Sequence, residues 1–478
     1  MTARIDTYVK ASPVSAAQPR QGQLSAAERA QREQERADRQ ARWLAIREAG
    51  GIDKWIDQQL ASRGLASDGG DESALIERDK AGYKAKKKAE AEARRALRQK
   101  AWQAYHATHI NHLGAGIHWE DDPDVDRFDV ENRSERARDN GLPEISTPEQ
   151  LAKAMGLSIP KLRQLTYHRE TDTGSNYYSF TIPKRDGSPR SIFAPKRDLK
   201  AAQRWMLRQV AERLPVHSAA HGFLPDRSIL TNALQHVGAH TLVKVDIRDF
   251  FPTVTWRRVR GLLRKGGLSE QAATLLSLLA TEAPREVVQF RGKTLHVATG
   301  PRALPQGAPT SPALTNALCM RLDRRMSGLA RLLGCRYTRY ADDLTFSFCH
   351  ADGHTGTGRA PVGALLRGVG QILTAEGFKL HPDKTRVVRV GERQRVTGLV
   401  INQVPKGVTA PGARVPRDVL RRLRAALHNR EQGKPGKPGE TLDQLSGMAA
   451  FVHMTDPARG RVLLDRLAAL KAKQPEAT

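Results

Sequence analysis

Asp342 and Asp343 stand side by side in the segment CRYTRYADDLTFSF. Adjacent carboxylates repel each other unless something positive lies between or beside them. In a chain with 78 Lys+Arg against 51 Asp+Glu, the candidate counter-charge is a divalent metal that also holds a phosphate substrate. An isolated Asp-Asp pair in a turn is equally ordinary solvated punctuation. A third carboxylate argues for chemistry. In LVKVDIRDFFP, Leu242, Val243, Val245 and Ile247 make a buried strand, and Asp246 interrupts it at a cost of roughly several kcal/mol unless it is paired or metal-bound. Pro252 is expected to end that strand.

The surrounding sequence must position these groups. Arg336 to Tyr340 and Leu344 to Phe348 read as two short strands, which puts the aspartate pair at a hairpin tip. Only a tight turn aims neighbouring side chains at one place, because consecutive residues of a regular strand face opposite ways. A second hairpin is expected from Tyr177 to Ile182 and Arg190 to Phe193, tipped by Lys184, Arg185 and Arg190. Such a tip suits an incoming triphosphate or is simply a cationic surface. Leu304 to Pro312 reads as a Gly-Pro loop opening a helix through Asn316 and Leu322, whose small residues let a nucleotide base approach the backbone. Thr147-Pro148-Glu149-Gln150 is a strong helix start. The helix pair it opens, LAKAMGLSIPKLRQL, has a helix-turn-helix cadence, so a sequence-specific DNA-binding regulator is a rival reading.

The 478 residues allow two or three domains, but 39% hydrophobic and 5% aromatic is lean, and a formal net charge of +27 creates a field that attracts polyanions. Cys319, Cys335 and Cys349, odd in number and without paired spacing, suggest reduced thiols. With no long apolar run and no apolar core within Met1 to Arg20, a cytoplasmic protein that does not engage membrane is expected. Residues 1–26 read as a disordered tail. A solvated helix follows from Ser25 to Glu48, with Glu28/Arg32, Glu35/Arg39 and Asp38/Arg42 at i,i+4. A basic helix from Leu75 to about Tyr105 could lie along a phosphate backbone or serve only solubility. His106, His109, His112 and His118 have metal-ligand spacing, and equally suit stacking in an RNA binder.

Together VKVDIRDFF, LPQGAPTSP and YADD resemble the palm motifs of reverse transcriptases, in the right order. The likeness runs over about residues 150 to 405, with GFKLHPDKT similar to the lysine-bearing motif and RVTGLVIN to the primer grip. Asn232-Ala233-Leu234-Gln235-His236 resembles the NAxxH signature, and Val396-Thr397-Gly398 the VTG signature, of bacterial retron enzymes. The resemblance implies that Asp246, Asp342 and Asp343 hold two Mg²⁺ ions, one lowering the pKa of the attacking hydroxyl and the other stabilising the departing pyrophosphate. It implies that Lys184 and Arg190 clamp the dNTP, that Gln306 and Gly307 line the base and sugar pocket, and that backbone N–H groups of Asp249 and Phe250 touch phosphates. Phe251 takes the steric-gate position and Lys384 that of a proton donor to pyrophosphate. Asn232, His236, Val396, Thr397 and Gly398 are expected at nucleic acid.

Val415, Val419, Leu423 and Leu427 repeat every four residues, with Arg417, Arg421, Arg422 and Arg424 around the remainder, as in a thumb helix riding a duplex. A last helical pair, Leu442 to Leu470, is placed by the resemblance in RNA recognition. The expected architecture is an α/β right-hand polymerase: a basic helical extension over 27–146, fingers and palm over 147–404, and a helical thumb over 405–478. The implied reaction is copying of a cognate structured noncoding RNA into branched single-stranded DNA (msDNA) from an RNA 2′-OH, in anti-phage defence. No RNase H domain or maturase-like extension is expected, so host RNase H and an effector protein join the implied partners. Group II intron, diversity-generating and CRISPR-associated reverse transcriptases are the alternatives of the same class.

Overall fold

The computed structural model describes residues 26–65, 80–110, 112–117, 132–183, 187–349, 360–402, 412–437 and 439–472. The chain divides into two compact units, Met1–Ile110 and Asn111–Thr478. The expected tail over 1–26 lies outside the described residues, apart from Ala26.

Among the described residues, the first unit contains three helices: Ala26–Glu48, Ile52–Ala61 and Lys80–Thr108. Ile46, Trp55, Ile56, Leu60, Leu97, Ala101 and Ala104 form its core. The middle helix was not anticipated, although Ile52, Trp55, Ile56 and Leu60 recur at helical spacing, because it is only ten residues long and follows the first helix after a Gly-Gly turn. Glu35 and Arg39 pair at 3.3 Å as their spacing predicts. Asp38 instead accepts a hydrogen bond from Gln34.

In the second unit a five-stranded antiparallel sheet is ordered Arg386–Arg389, Ala239–Arg248, Asp343–Cys349, Arg336–Tyr340, and Lys379–Leu380 pairs onto the far end of Ala239–Arg248. The register shifts between Ala239 and Thr241, and from Thr241 onward it runs unbroken to the pair Asp246↔Asp343. Leu242, Val243, Val245 and Ile247 are buried as their pattern requires, each at most 1% exposed. The strand ends at Arg248 and not at Pro252, because Asp249 turns the backbone with φ 48°.

The hairpin Tyr177–Pro183/Pro189–Pro195 is paired along its whole length. A second hairpin, Arg285–Phe290/Lys293–Ala298, extended at one edge by Thr171–Asp172, was not foreseen. The helix Glu270–Ala280 is buried at every position from Ala272 to Ala280. The helices Pro148–Ala154, capped by the Thr147/Gln150 box, and Ile159–Thr166 both pack on it, burying Leu151, Ala152, Leu162 and Leu165. Helix Arg133–Asp139 packs on helix Trp256–Gly266, and Asn140 Nδ2 donates to the Gly266 carbonyl. The loop after Gly307 opens a helix that breaks at Cys319, giving Ser311–Leu318 and Met320–Leu332. The last three helices among the described residues are Arg417–Glu431, Leu442–Thr455 and Pro457–Ala472. Their core includes Val415, Leu423, Leu427, Leu445, Val452, Leu463 and Leu467, with Val419 packed against it. Among the described residues, no helix is long and apolar enough to cross a membrane, and all three cysteines are buried free thiols.

Candidate active site

The sheet register brings the carboxylates together. Asp246 and Asp343 are direct cross-strand partners, which sets their Cβ atoms roughly 4.5–5.5 Å apart on one face. Tyr340 pairs with Asp343, so Ala341 and Asp342 form a two-residue turn. Ala341 has φ 55° at the first turn position, where such hairpins usually place glycine. The Ile247 amide donates to the Asp342 carbonyl at 3.1 Å and the His381 amide to the Asp246 carbonyl at 2.9 Å, fixing the turn and both strands around one point.

Burial pushes the Asp342 carboxyl up to about 6, helped by the charges of Asp343 and Asp246. Burial also raises Asp343, against the pull of Lys244 and with a further push from Asp246. Lys384 Nζ lies 3.1 and 3.2 Å from the two Asp246 oxygens. Three hard carboxylate donors at one end of the sheet, with the charged forms of Asp342 and Asp343 disfavoured, suit a divalent cation of the Mg²⁺ type. Among the described residues no group of three or more His, Cys, Asp or Glu is gathered into a ready-made metal cage. The fit therefore lies in the chemistry of the donors, with Lys384 supplying positive charge to Asp246.

The turn rests on a buried polar brace that sequence reasoning missed. Arg339 and Asp323 are both fully buried and pair at 2.7 Å. Arg339 also donates to the Asn316 side chain and the Ala341 carbonyl, and Tyr337 donates to Asp323. Gly222 lies beneath, where an added Cβ would meet the Ala341 nitrogen at 3.0 Å.

The reverse transcriptase (RNA-dependent DNA polymerase) family model matches residues 182–412. The chain is 60% identical over 478 residues to the Retron Mx162 reverse transcriptase of Myxococcus xanthus, covering 99% of this chain and 98% of that one. The chain belongs to the retron reverse transcriptases. It is 44% identical over 326 residues to the Retron Mx65 reverse transcriptase of the same organism (68% of this chain, 72% of that one). To the Retron Ec86 reverse transcriptase of Escherichia coli it is 30% identical over 340 residues (71% and 93%). This retron reverse transcriptase is an RNA-directed DNA polymerase, and reverse transcriptase domains generally use divalent metal ions. The regulator reading falls with that finding, and the helix pair behind it packs on the buried Glu270–Ala280 helix.

The remaining residues singled out from sequence are placed as follows. Lys184 and Arg185 lie outside the described residues, and Arg190 is exposed opposite Ile182. The Gln306 carbonyl accepts from the Phe193 amide at 2.7 Å. Gly307 has φ +113°, and a Cβ there would sit 2.9 Å from the Phe193 carbonyl. What approaches Gly307 in this structure is thus the Pro189–Pro195 strand. Asp249 is exposed, Phe251 half-buried, and Phe250 buried against Phe378 with ring centres 5.6 Å apart.

Three residues of the two retron signatures lie inside the protein. Asn232 is 1% exposed, and His236 and Val396 are fully buried. His236 bonds Ser347 and Thr338 through its two ring nitrogens, each at 2.7 Å. Thr338 donates to Asn232, and Thr397, at φ 44°, donates to the Ile229 carbonyl. Gly398 alone of the five is exposed. As arranged here, Asn232 and His236 hold the sheet behind the aspartates. Arg417, Arg421 and Arg424 are exposed on the Arg417–Glu431 helix, around the side opposite Leu423 and Leu427.

The two imidazoles at the end of the first unit are engaged with neighbouring rings. His106 stacks on Trp102 and His109 on Tyr105, at 5.7 and 4.5 Å. His112 accepts from the Gly114 amide, and His118 lies outside the described residues.

Proposed function

We propose that this enzyme copies its own cognate structured noncoding RNA into branched msDNA, starting from a 2′-OH of that RNA, in the service of anti-phage defence. The observation that carries the reading is the register Asp246↔Asp343 with Asp342 in the adjoining turn, in a chain so similar along its length to a retron reverse transcriptase. Asp246, Asp342 and Asp343 hold two Mg²⁺ ions, which supply charge neutralisation for phosphoryl transfer when bound. Arg190 and Lys184 clamp the dNTP phosphates. Gln306 and Gly307 border the base, and Phe251 stands where a ribose 2′-OH would clash. Backbone N–H groups of Asp249 and Phe250 contact phosphate. Lys384 hands a proton to the leaving pyrophosphate or remains a cation beside it. Asn232, His236, Val396, Thr397 and Gly398 serve nucleic-acid binding by holding the wall next to it.

The same reading assigns 27–146 as a basic extension, 147–404 as fingers and palm, and 405–478 as a thumb whose Arg417, Arg421 and Arg424 ride the duplex. It makes the cytoplasm the site of action, host RNase H the remover of template, and an effector protein a partner in defence. The deciding experiment is co-expression with the flanking noncoding region, followed by a search for short branched DNA sensitive to RNase. A discrete product that disappears in Asp342→Asn/Asp343→Asn supports the reading. Incorporation of dNTPs on an added primer–template without such a product would leave the polymerase and remove the msDNA reaction.

A further inference from the structure

The helix Lys80–Thr108 presents a side that the polymerase chemistry does not use. Lys84, Lys88, Arg95, Gln99, Trp102 and His106 are all exposed, and their spacings of 4, 7, 4, 3 and 4 put them on one face. That face lies opposite the buried stripe of Leu97, Ala101 and Ala104. From Lys84 to His106 it runs 22 residue steps, or about 33 Å at 1.5 Å per residue.

Three cations on one flank of this helix are paired: Arg94 meets Asp57 at 3.0 Å, Arg98 meets Asp53 at 2.9 Å and Lys87 meets Glu90 at 3.7 Å. Lys84, Lys88 and Arg95 have no carboxylate partner among the described residues. Glu92 stands at the edge of the face. At its C-terminal end Trp102 is 46% exposed, stacked on His106 with ring planes 28° apart. Behind them Trp43, Tyr105 and His109 form a second tier, with Tyr105 and His109 12° from parallel. Unpaired cations followed by an exposed, braced indole match a phosphate backbone followed by an unpaired base. A membrane surface is disfavoured, because apart from Trp102 this face has no large apolar residue to bury.

We propose that this face binds structured RNA, with Lys84, Lys88 and Arg95 tracking the phosphates of a duplex stem and Trp102, supported by His106, stacking an unpaired base beside it. The site lies outside the residues matched by the polymerase family model, and it does not depend on the msDNA reaction proposed above.

The test uses the full-length protein and fluorescence anisotropy with a labelled RNA hairpin bearing an unpaired loop, a blunt RNA duplex, and the same hairpin in DNA. K84Q/K88Q/R95Q is expected to weaken hairpin binding about tenfold or more at low salt, and to flatten the log–log salt slope by about 2–3. Trp102→Ala is expected to cost roughly 5- to 100-fold on the looped hairpin and little on the blunt duplex, with Trp102→Phe recovering most of the loss. Incorporation on a saturating, pre-annealed primer–template should be unchanged in all variants. Unaltered hairpin affinity and salt slope would overturn the proposal, as would equal losses of Trp102→Ala on looped and blunt RNA. A preference for the DNA hairpin would move the site to the product strand and overturn the RNA assignment. Trp102-dependent binding to phosphatidylserine vesicles would transfer the face to a membrane.

Discussion

Asp342 is placed where function and stability pull in opposite directions. Its carboxyl, ordinarily near 3.8, is held up to about 6 in the folded chain, so the fold prefers it protonated. The associated stabilisation is complete below pH 3.8 and is lost as pH rises through about 6; at neutral pH the charged group is a cost. Asp342→Asn should therefore raise the melting temperature of the metal-free protein at pH 7.5 by about 1–2 °C, roughly 1 kcal/mol after allowance for partial exposure. The same change should lower dNTP incorporation about a thousandfold or more. Adding Mg²⁺ should stabilise the wild type more than the variant, and a variant that melts earlier without metal would contradict this account. His236 gives the opposite pH dependence. Burial lowers its imidazole to about 3, so the neutral ring is required, and stability present above pH 6.5 is lost as pH falls toward 3. His221, lowered to about 4 mainly by burial, adds to the same trend. Thermal melts of the wild type should fall steeply between pH 6.5 and 4, and those of His236→Gln less so; superimposable profiles would exclude His236 as the source.

At the scale of elements, the turn carrying Asp342 is held by its surroundings. Ala341 tolerates a positive φ because the Arg339–Asp323 pair, Asn316 and Gly222 are packed beneath it. Removing one member leaves a buried charge alone, so Arg339→Met should cost about 3–5 kcal/mol by denaturant unfolding, while pairing it with Asp323→Leu should return much of that. A Gly307→Ala variant meets both φ +113° and the Phe193 carbonyl. It should lose at least about 1–2 kcal/mol and reduce incorporation, because the Pro189–Pro195 strand must move. The catalytic strand and hairpin were legible because strong alternation is interrupted by acidic residues, a pattern set locally. The brace was not: Arg339 within RYTRYADD reads as one more cation, and only tertiary packing shows it at zero exposure. The burial of Asn232 and His236 is hidden from the sequence for the same reason, since short polar motifs look alike whether they face solvent or a neighbouring strand. Gly307 was identified by type, but the strand packed against it was not, because the approach of a distant hairpin leaves no mark in the loop's own sequence.

For the whole molecule, a formal charge of +27 makes salt the first variable in any binding measurement. Replacing Arg417, Arg421 and Arg424 together with Gln should flatten the dependence of log affinity on log salt for a primer–template by about 2–3. An unchanged slope would remove that helix from the duplex path. The division into a helical unit to Ile110 and a polymerase unit beyond it was only partly visible in the sequence, since basic composition continues across both and marks no border.

The register irregularity between Ala239 and Thr241 bears on which lengths of chain the enzyme can survive. Extra residues entering before Thr241 meet a ladder that already slips there, and can be taken up without displacing anything downstream. Between Thr241 and Asp246 there is no such slack: one inserted residue reverses which way every later side chain points and turns Asp246 away from Asp343. Substitutions along this strand should degrade the polymerase by degrees. Single-residue insertions should sort into harmless and lethal, with the border at the slip.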